Sequence, residues 1–132
     1  MSRKTAREEF FKLLFEAELN EVDATEVLED FISRDDFKLN KAGQEFLERY
    51  ANGLTENKSE IQRTIEENMT GWTLDRIGNV ERTLLKFATY ELLKEDVGYE
   101  IVINEIVELA KKYGEEKSHE FINGVLAKIV NK

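Results

Sequence analysis

The sequence predicts an all-α protein with about seven helices and no sheet, and three observations lead to this prediction. The chain has 132 residues without a proline, and it is rich in the helix-favouring residues Glu, Lys, Leu and Ala. Hydrophobic residues make up 41% and charged residues 36%, which is a globular composition. Apolar residues recur at spacings of three and four. The length suits one domain, or two small bundles that share a core.

The first three helices follow from their apolar faces and from one cap. The first is predicted over residues 3–19, with an inward face of Ala6, Phe10, Leu13, Leu14 and Ala17. Asp23 followed by Glu26 predicts a capping box for the second helix. A third helix is predicted at about 41–54, and residues 55–69 continue it with apolar side chains at steps of four.

A break at residues 70–79 separates these helices from the later ones. Gly71 and Gly78 bracket a short helical turn that carries Trp72. Asn79 is predicted to cap the next helix, residues 96–100 to form a loop, and Gly114 to end the helix that follows. Ser118 is predicted to cap the last helix, which contains the segment SHEFINGVLAKIV.

Gly124 stands in the middle of that last helix, where glycine costs roughly 1 kcal/mol relative to alanine. Two explanations fit the residue. It permits another helix to pack closely, or it removes a side chain that would otherwise shield Phe121. The spacing alone favours neither explanation.

The sequence indicates no catalytic or metal site. It holds one histidine and no cysteine, and none of its seven glycines belongs to a phosphate-binding loop. His119 is interpreted as a structural residue that braces the start of the last helix, with a ligand or general base as the alternative. We therefore expect no cofactor, no metal and no enzymatic activity.

The charge is unevenly distributed along the chain. A net charge of −9 argues against non-specific coating of nucleic acid, yet residues 1–12 hold four basic and two acidic side chains. This basic start is a weak indication of an anionic ligand, and a solvated helix start is the simpler explanation. No apolar run is long enough to span a bilayer and no signal-peptide pattern opens the chain. We expect a cytoplasmic protein without a membrane partner.

Two strips of cations and aromatic rings suggest single-stranded nucleic acid, which binds cations through its phosphates and aromatic faces through its unstacked bases. On the first helix, Phe11 and Phe15 lie outside the predicted core face, close to Lys4 and Arg7; the alternative is that these rings pack on a neighbouring helix. On the last helix, two lysines, one phenylalanine and one glycine project within about 60° of one another: Lys117, Phe121, Gly124 and Lys128.

Three C-terminal blocks resemble, in order and spacing, the corresponding blocks of the NusB transcription antitermination factors: ERTLLKFATYELL, VINEIVELAKKYG and SHEFINGVL. The basic start SRKTAREEFFKLLFEAEL and the segment around Trp72 also occupy the expected places, so the likeness covers nearly the full chain. It implies two small helical bundles in one compact domain, with residues 1–132 forming a single non-enzymatic RNA-binding domain.

The resemblance also implies partners. Members of this family pair with the ribosomal protein NusE and recognise a short single-stranded boxA element in nascent ribosomal RNA. Together with other Nus factors they keep the RNA polymerase elongation complex processive. Whether the free chain forms a homodimer is left open, and a helical protein-interaction scaffold that does not bind RNA is the alternative function.

The family's functional positions can be transferred one by one. The RNA-binding residues implied in this way are Arg3, Lys4, Arg7, Lys12, Phe15, Lys117 and Phe121. Asp75 and Glu81 fall where contact with NusE is expected. The chain departs from the family pattern in a basic cluster interrupted by Thr5 and Glu9. It also departs at Lys117, where an acidic residue is common and where a lysine would add a phosphate contact.

Overall fold

The computed structural model describes residues 3–131, except for the side chain of Arg3. This part of the chain contains seven α-helices and one turn of 3-10 helix and has no strand, so the predicted all-α fold is confirmed. The chain divides between Glu56 and Asn57 into two compact units. None of the seven helices is both long and apolar enough to cross a membrane.

The first unit contains three helices: α1 (Arg3–Asn20), α2 (Ala24–Ile32) and α3 (Lys41–Glu56). The predicted capping box is present at the start of α2, where the Glu26 carboxylate accepts a hydrogen bond of 3.1 Å from the backbone N–H of Asp23. Asn40 starts α3 in a similar way, because its side-chain oxygen accepts from the N–H of Gly43 at 3.0 Å. Side-chain oxygens at helix starts bind N–H groups that lack helical partners.

Aromatic rings hold α1 against α3. The Phe10 ring meets the edges of Phe46 and Tyr50 at centroid distances of 6.4 and 5.5 Å. Phe46 and Tyr50 stack on each other at 4.0 Å. All five residues of the predicted inward face of α1 are buried, so that part of the prediction is confirmed.

The core face of α1 is wider than the spacing predicted. Phe11, placed outside it by the sequence, is only 2% exposed, and Arg7 is 1% exposed. Phe15 is half-buried and stacks on Phe11 at a centroid distance of 5.7 Å. The prediction of an exposed strip of cations and rings on α1 is therefore wrong for Arg7 and Phe11. Of the two rings, Phe11 is buried as the packing alternative expected.

The second unit contains α4 (Lys58–Glu67), the 3-10 turn (Leu74–Arg76), α5 (Asn79–Lys94), α6 (Tyr99–Tyr113) and α7 (Ser118–Val130). Two predicted caps are displaced by one residue, since Gly78 and Lys117 occupy the capping positions and Asn79 and Ser118 are the first helical residues. The helix predicted to follow residue 100 begins earlier, at Tyr99.

α5 is the central helix of the second unit, in contact with α4, α6 and α7. Its middle is buried on nearly all sides, including Leu84, Leu85, Phe87, Ala88 and Tyr90. A helix that is apolar around most of its circumference belongs in an interior. The apolar faces of α6 and α7 cover it with residues such as Ile106, Ile122 and Leu126.

Arg34, just beyond the end of α2, fixes that end to α1. Its guanidinium donates two hydrogen bonds to the Glu16 carboxylate, at 2.8 and 2.7 Å, and also pairs with Asp30. The hydrogen bond from Arg34 lowers the pKa of Glu16 below its ordinary value. Both side chains are about one-third exposed, so solvent limits the contribution of the pair to roughly 0–1 kcal/mol.

This pair predicts a small pH-dependent stability. A carboxyl whose pKa is lowered on folding stabilises the fold above its unfolded pKa of about 4.3 and loses that effect as the pH falls through the folded pKa. We expect Glu16→Gln to lower the free energy of unfolding by about 0.5 kcal/mol at pH 7, with a smaller difference at pH 3.

Urea denaturation at the two pH values measures both differences. Glu29→Gln, which neutralises an exposed carboxylate on α2, serves as the control. An equal loss at pH 7 and pH 3, or the same profile in Glu29→Gln, would contradict a role for the Arg34 pair.

Candidate nucleic-acid interface

An open groove of about 640 Å³ lies in the second unit, between the segment before α5 and the start of α7. Two aromatic side chains, Trp72 and Phe121, line it although they are far apart in the sequence. The remaining lining residues are mostly charged or small: Arg76, Ile77, Gly78, Glu81, Glu115, Glu116, Lys117 and Ser118. The arrangement combines ring faces with both signs of charge.

The break between α4 and α5 holds Trp72 at the surface. Gly71 has a φ of +77°, a conformation that glycine adopts without the strain a side chain would bring. Leu74 anchors the segment: its side chain is buried, and its backbone N–H donates to the Glu66 carboxylate of α4 at 2.9 Å. The anchored segment leaves Trp72 53% exposed.

Ser118 fixes the other wall of the groove. Its hydroxyl accepts a hydrogen bond of 2.9 Å from the N–H of Glu115 and donates one to the carboxylate of Glu81. The residue is 5% exposed, so these bonds are shielded from water. Ser118 thus links the first turn of α7, next to Lys117, to the first turn of α5, which carries Glu81.

Gly114 allows this arrangement through close contact rather than unusual dihedrals. Its backbone is extended, with φ −95° and ψ −173°. A Cβ at this position would lie 2.8 Å from the Ala110 carbonyl oxygen and 2.8 Å from the side chain of Ser118. The predicted glycine at the end of α6 is confirmed, but the reason is the space that the Ser118 turn requires.

The groove can offer three kinds of contact to a ligand. Trp72 and Phe121 present ring faces, and Arg76 and Lys117 present cations suited to phosphate. The carboxylates of Glu81, Glu115 and Glu116 can only accept hydrogen bonds when ionised. Exposed base edges carry amino groups that suit such acceptors.

The exposed face of α7 continues from the groove. Lys117, Gly124 and Lys128 are exposed and Phe121 is half-buried. A Cβ built on Gly124 would have nothing within 4 Å, so within residues 3–131 no helix packs closely against it. Of the two explanations for this glycine, close packing is wrong, and an open surface beside Phe121 remains.

The predicted residues of α1 form a separate set in the first unit. Lys4 and Lys12 are exposed, and Lys12 pairs with Glu9 at 3.1 Å. Phe15 is half-buried, whereas Arg7 lies inside with almost no accessible surface. Arg3 begins α1, but its side chain lies outside the part of the chain that the structure describes.

The two residues assigned to a protein partner have different surroundings. Asp75 is exposed on the 3-10 turn, where the Thr73 hydroxyl donates to its carboxylate at 2.5 Å. This hydrogen bond lowers the pKa of Asp75 below its ordinary value. Glu81 lies in the groove with Lys117 and Phe121 instead. The structure thus brings three predicted residues together and leaves Asp75 outside the lining.

Four residues that the groove can offer to a ligand were not predicted from the sequence as binding residues: Trp72, Arg76, Glu115 and Glu116. The signal that could have identified Trp72 was its place in a glycine-containing break, where a large ring has no helical face to bury. His119 is half-buried on the first turn of α7 and does not line the groove. Among the described residues, no three His, Asp or Glu side chains are grouped so that they could hold a metal ion.

Comparisons with known proteins agree on one family. A sequence model of the NusB family matches residues 4–131. The transcription antitermination protein NusB of Fusobacterium nucleatum is 42% identical over 132 residues, covering 96% of this chain and 86% of that protein. The structure of NusB from T. maritima has a TM-score of 0.91 at 36% identity, covering 100% of this chain and 92% of the other.

A further solved structure contains RNA. It is a crystal structure of the antitermination factors NusB and NusE in complex with double-stranded RNA. Its matching chain has a TM-score of 0.86 at 30% identity, and the match covers 98% of this chain and 96% of that one.

The burial of Arg7 predicts a structural role that can be separated from RNA contact. Arg7→Glu places a carboxylate where a buried guanidinium lies, and we expect it to lower the free energy of unfolding by about 3–5 kcal/mol. Lys12→Glu makes the same charge change at an exposed position of α1 and should cost less than about 1 kcal/mol. Thermal and urea denaturation measure both. An Arg7→Glu variant as stable as the unmodified chain would contradict the structural role.

Proposed function

The chain belongs to the NusB family of transcription antitermination proteins, a non-enzymatic family, and from this premise we propose that it binds single-stranded RNA in the Trp72–Phe121 groove. The observation that carries the proposal is the presence of two accessible aromatic side chains beside two cations in one groove. Unstacked bases bind aromatic faces with about 1–3 kcal/mol each, while nearby cations bind the phosphates.

The groove suits a single strand better than a duplex. In an RNA duplex the base faces are stacked on one another, so a protein reads its shape, phosphates and 2′-hydroxyl groups. Rings can stack only on bases that are free of that arrangement. The related NusB–NusE complex contains double-stranded RNA, so a duplex of matched sequence is the necessary competitor in any binding test.

The α1 set gives a second group of candidate RNA contacts. Lys4 and Lys12 are exposed cations, and Phe15 is a half-buried ring on the same helix. We propose that these three, rather than the buried Arg7, supply the contacts of the first unit. Arg3 remains a predicted contact, and residues 1–132 are proposed to act as one RNA-binding domain.

A ribosomal protein of the NusE type is the proposed protein partner. The NusB of the related complex is bound to NusE, and the exposed carboxylate of Asp75 offers this chain an ionised contact for a basic partner. We assign Glu81 primarily to the RNA groove, because it lines the groove with Phe121 and Lys117. Its proposed contact with the partner would require NusE to reach the groove edge.

The finer biological role rests on family membership. We propose that the RNA is a boxA element of nascent ribosomal RNA, and that the chain supports elongation by RNA polymerase with other Nus factors. The proposed compartment is the cytoplasm. A homodimer of the free chain is a further candidate state. RNA-binding titrations at increasing protein concentration test it.

A protein-interaction scaffold without RNA binding is the competing function. One observation favours it: the groove holds three carboxylates and only two cations, so its formal charge is negative. The two functions differ in one measurable respect, because only the RNA-binding protein responds to RNA in the absence of other proteins.

The single tryptophan makes the groove directly observable. We expect single-stranded boxA-like RNA to quench Trp72 fluorescence, and a matched duplex to do so only at much higher concentration. Trp72→Ala should weaken binding by roughly five- to 150-fold, measured by anisotropy of labelled RNA. Tyr99→Ala is a matched control, because Tyr99 is also 53% exposed but lies on α6. Equal affinities of the two variants would count against the groove.

Asp75 provides the test of the partner surface. Asp75→Lys should weaken binding of NusE by about tenfold, since reversing a charge at an interface rim replaces attraction with repulsion. RNA binding by the isolated chain should change by less than twofold. Asp36→Lys, the same change at an exposed aspartate of the first unit, controls for net charge. Calorimetry with purified NusE decides, and unchanged affinity of Asp75→Lys would remove Asp75 from the interface.

A further inference from the structure

We propose that the RNA strand leaves the Trp72–Phe121 groove along α7, crosses the bare backbone at Gly124, and places a further nucleotide in a second pocket beside Lys128. This inference rests on the RNA-binding function proposed above and adds a second subsite to it. Gly124 and Lys128 belong to the strip that the sequence indicates on the last helix, whereas the other polar residues of the second pocket were assigned to no site.

The second pocket lies where the ends of α4 and α7 meet, within the second unit. It is an open cavity of about 380 Å³. Its lining is almost entirely polar: Glu67, Asn68, Thr70, Ala127, Lys128 and Asn131. The pocket therefore offers polar groups beside the aliphatic parts of these side chains, and it suits a small group such as a base edge or a ribose.

The same two stretches of chain build both pockets. The connection after α4 supplies Thr70 to the second pocket and Trp72 to the first groove. α7 supplies Lys128 to the second pocket and Phe121 to the first. Seven residues of α7 correspond to about 10 Å along its axis, a distance that a short stretch of single strand can bridge.

Gly124 lies on α7 between the two pockets. Its position on the helix falls within about 60° of both Phe121 and Lys128, and it is exposed, with open space where a Cβ would be. The fold itself gains nothing from a glycine there, since alanine would favour the helix by roughly 1 kcal/mol. A ligand that passes close to the helix backbone supplies the missing reason.

The polar groups of the second pocket define what it can bind. One of the two side-chain N–H groups of Asn68 donates to the Thr64 carbonyl oxygen at 2.8 Å, so the second N–H and the amide oxygen remain for a ligand. Asn68 is 4% exposed and therefore held in place. Glu67 adds a carboxylate, another acceptor, and Lys128 adds a cation.

This combination favours a nucleotide whose base carries an amino group. Lys128 suits a phosphate, and the carboxylate of Glu67 suits the exocyclic amine of cytosine or adenine. The Asn68 amide can both donate to and accept from the same base edge. Uracil has two carbonyl oxygens and no exocyclic amine, so it would place a carbonyl oxygen next to the Glu67 carboxylate. The exposed carboxylates of Glu120 and Glu67 disfavour a second phosphate, so we assign one phosphate contact to this subsite.

The experiment compares RNAs of two lengths. A boxA-like core is measured alone and with several cytidines or several uridines added at either end, using the full chain and anisotropy of labelled RNA. We expect one cytidine extension to bind about fivefold or more tightly than both the core and the matching uridine extension.

Two variants test the path, with one matched control. Lys128→Gln should abolish the gain from the cytidine extension and lower the slope of log affinity against log salt by about 0.7 for the extended RNA, while binding of the core stays unchanged. Gly124→Leu should also abolish the gain from the cytidine extension, through obstruction, and its open surroundings predict a folded variant. Lys111→Gln removes an exposed cation from α6 and should change neither RNA.

The outcomes separate this inference from the proposed function. No binding of the core by the unmodified chain would overturn the proposed function itself. Normal binding of the core, with no gain from any extension or with a gain that survives both variants, would overturn only the second subsite. If, in addition, Lys128→Gln binds NusE more weakly than the unmodified chain does, this face of α7 is a protein contact and the second subsite is overturned.

Discussion

The candidate interface depends on one buried hydroxyl. Ser118 accepts from the Glu115 N–H and donates to the Glu81 carboxylate, which ties the first turn of α7 to the first turn of α5. This tie holds the start of α7, which carries Lys117 and Phe121, beside Glu81. Loss of the hydroxyl would leave a buried N–H and a carboxylate without their partner, an arrangement that costs about 1–3 kcal/mol. Gly114 belongs to the same device, because any side chain there would collide with Ser118.

In the second unit, the residues that form the core differ from those that form the candidate binding surface. The apolar middle of α5 is buried among α4, α6 and α7. The connection before α5 and the outer face of α7 therefore do not need to bury large side chains. That division allows Trp72 to remain at the surface and Gly124 to remain uncovered. Accessible rings beside cations are the features that an unstacked nucleic acid requires, and here they lie outside the hydrophobic core.

The sequence was sufficient for the helices, since apolar spacing and the Asp23–Glu26 box correctly predicted most elements of the fold. It failed where burial depends on what lies opposite a face. Phe11 and Arg7 fall outside a narrow apolar stripe, yet both are buried, because spacing gives the direction of a face but not its width. Ser118 and Glu81 are 37 residues apart, and no local pattern predicts that they meet. The grouping of Glu81, Lys117 and Phe121 with Trp72 is likewise a consequence of tertiary packing.

The central claim is that the Trp72–Phe121 groove binds single-stranded RNA. The most direct test is a ¹H–¹⁵N NMR titration of the labelled chain, in which the single tryptophan gives one indole signal. The account predicts that boxA-like RNA shifts this signal together with the amides of the first two turns of α7, while the amides of the middle of α6 keep their positions. An unchanged indole signal at saturating RNA, with shifts confined to other surfaces, would contradict it.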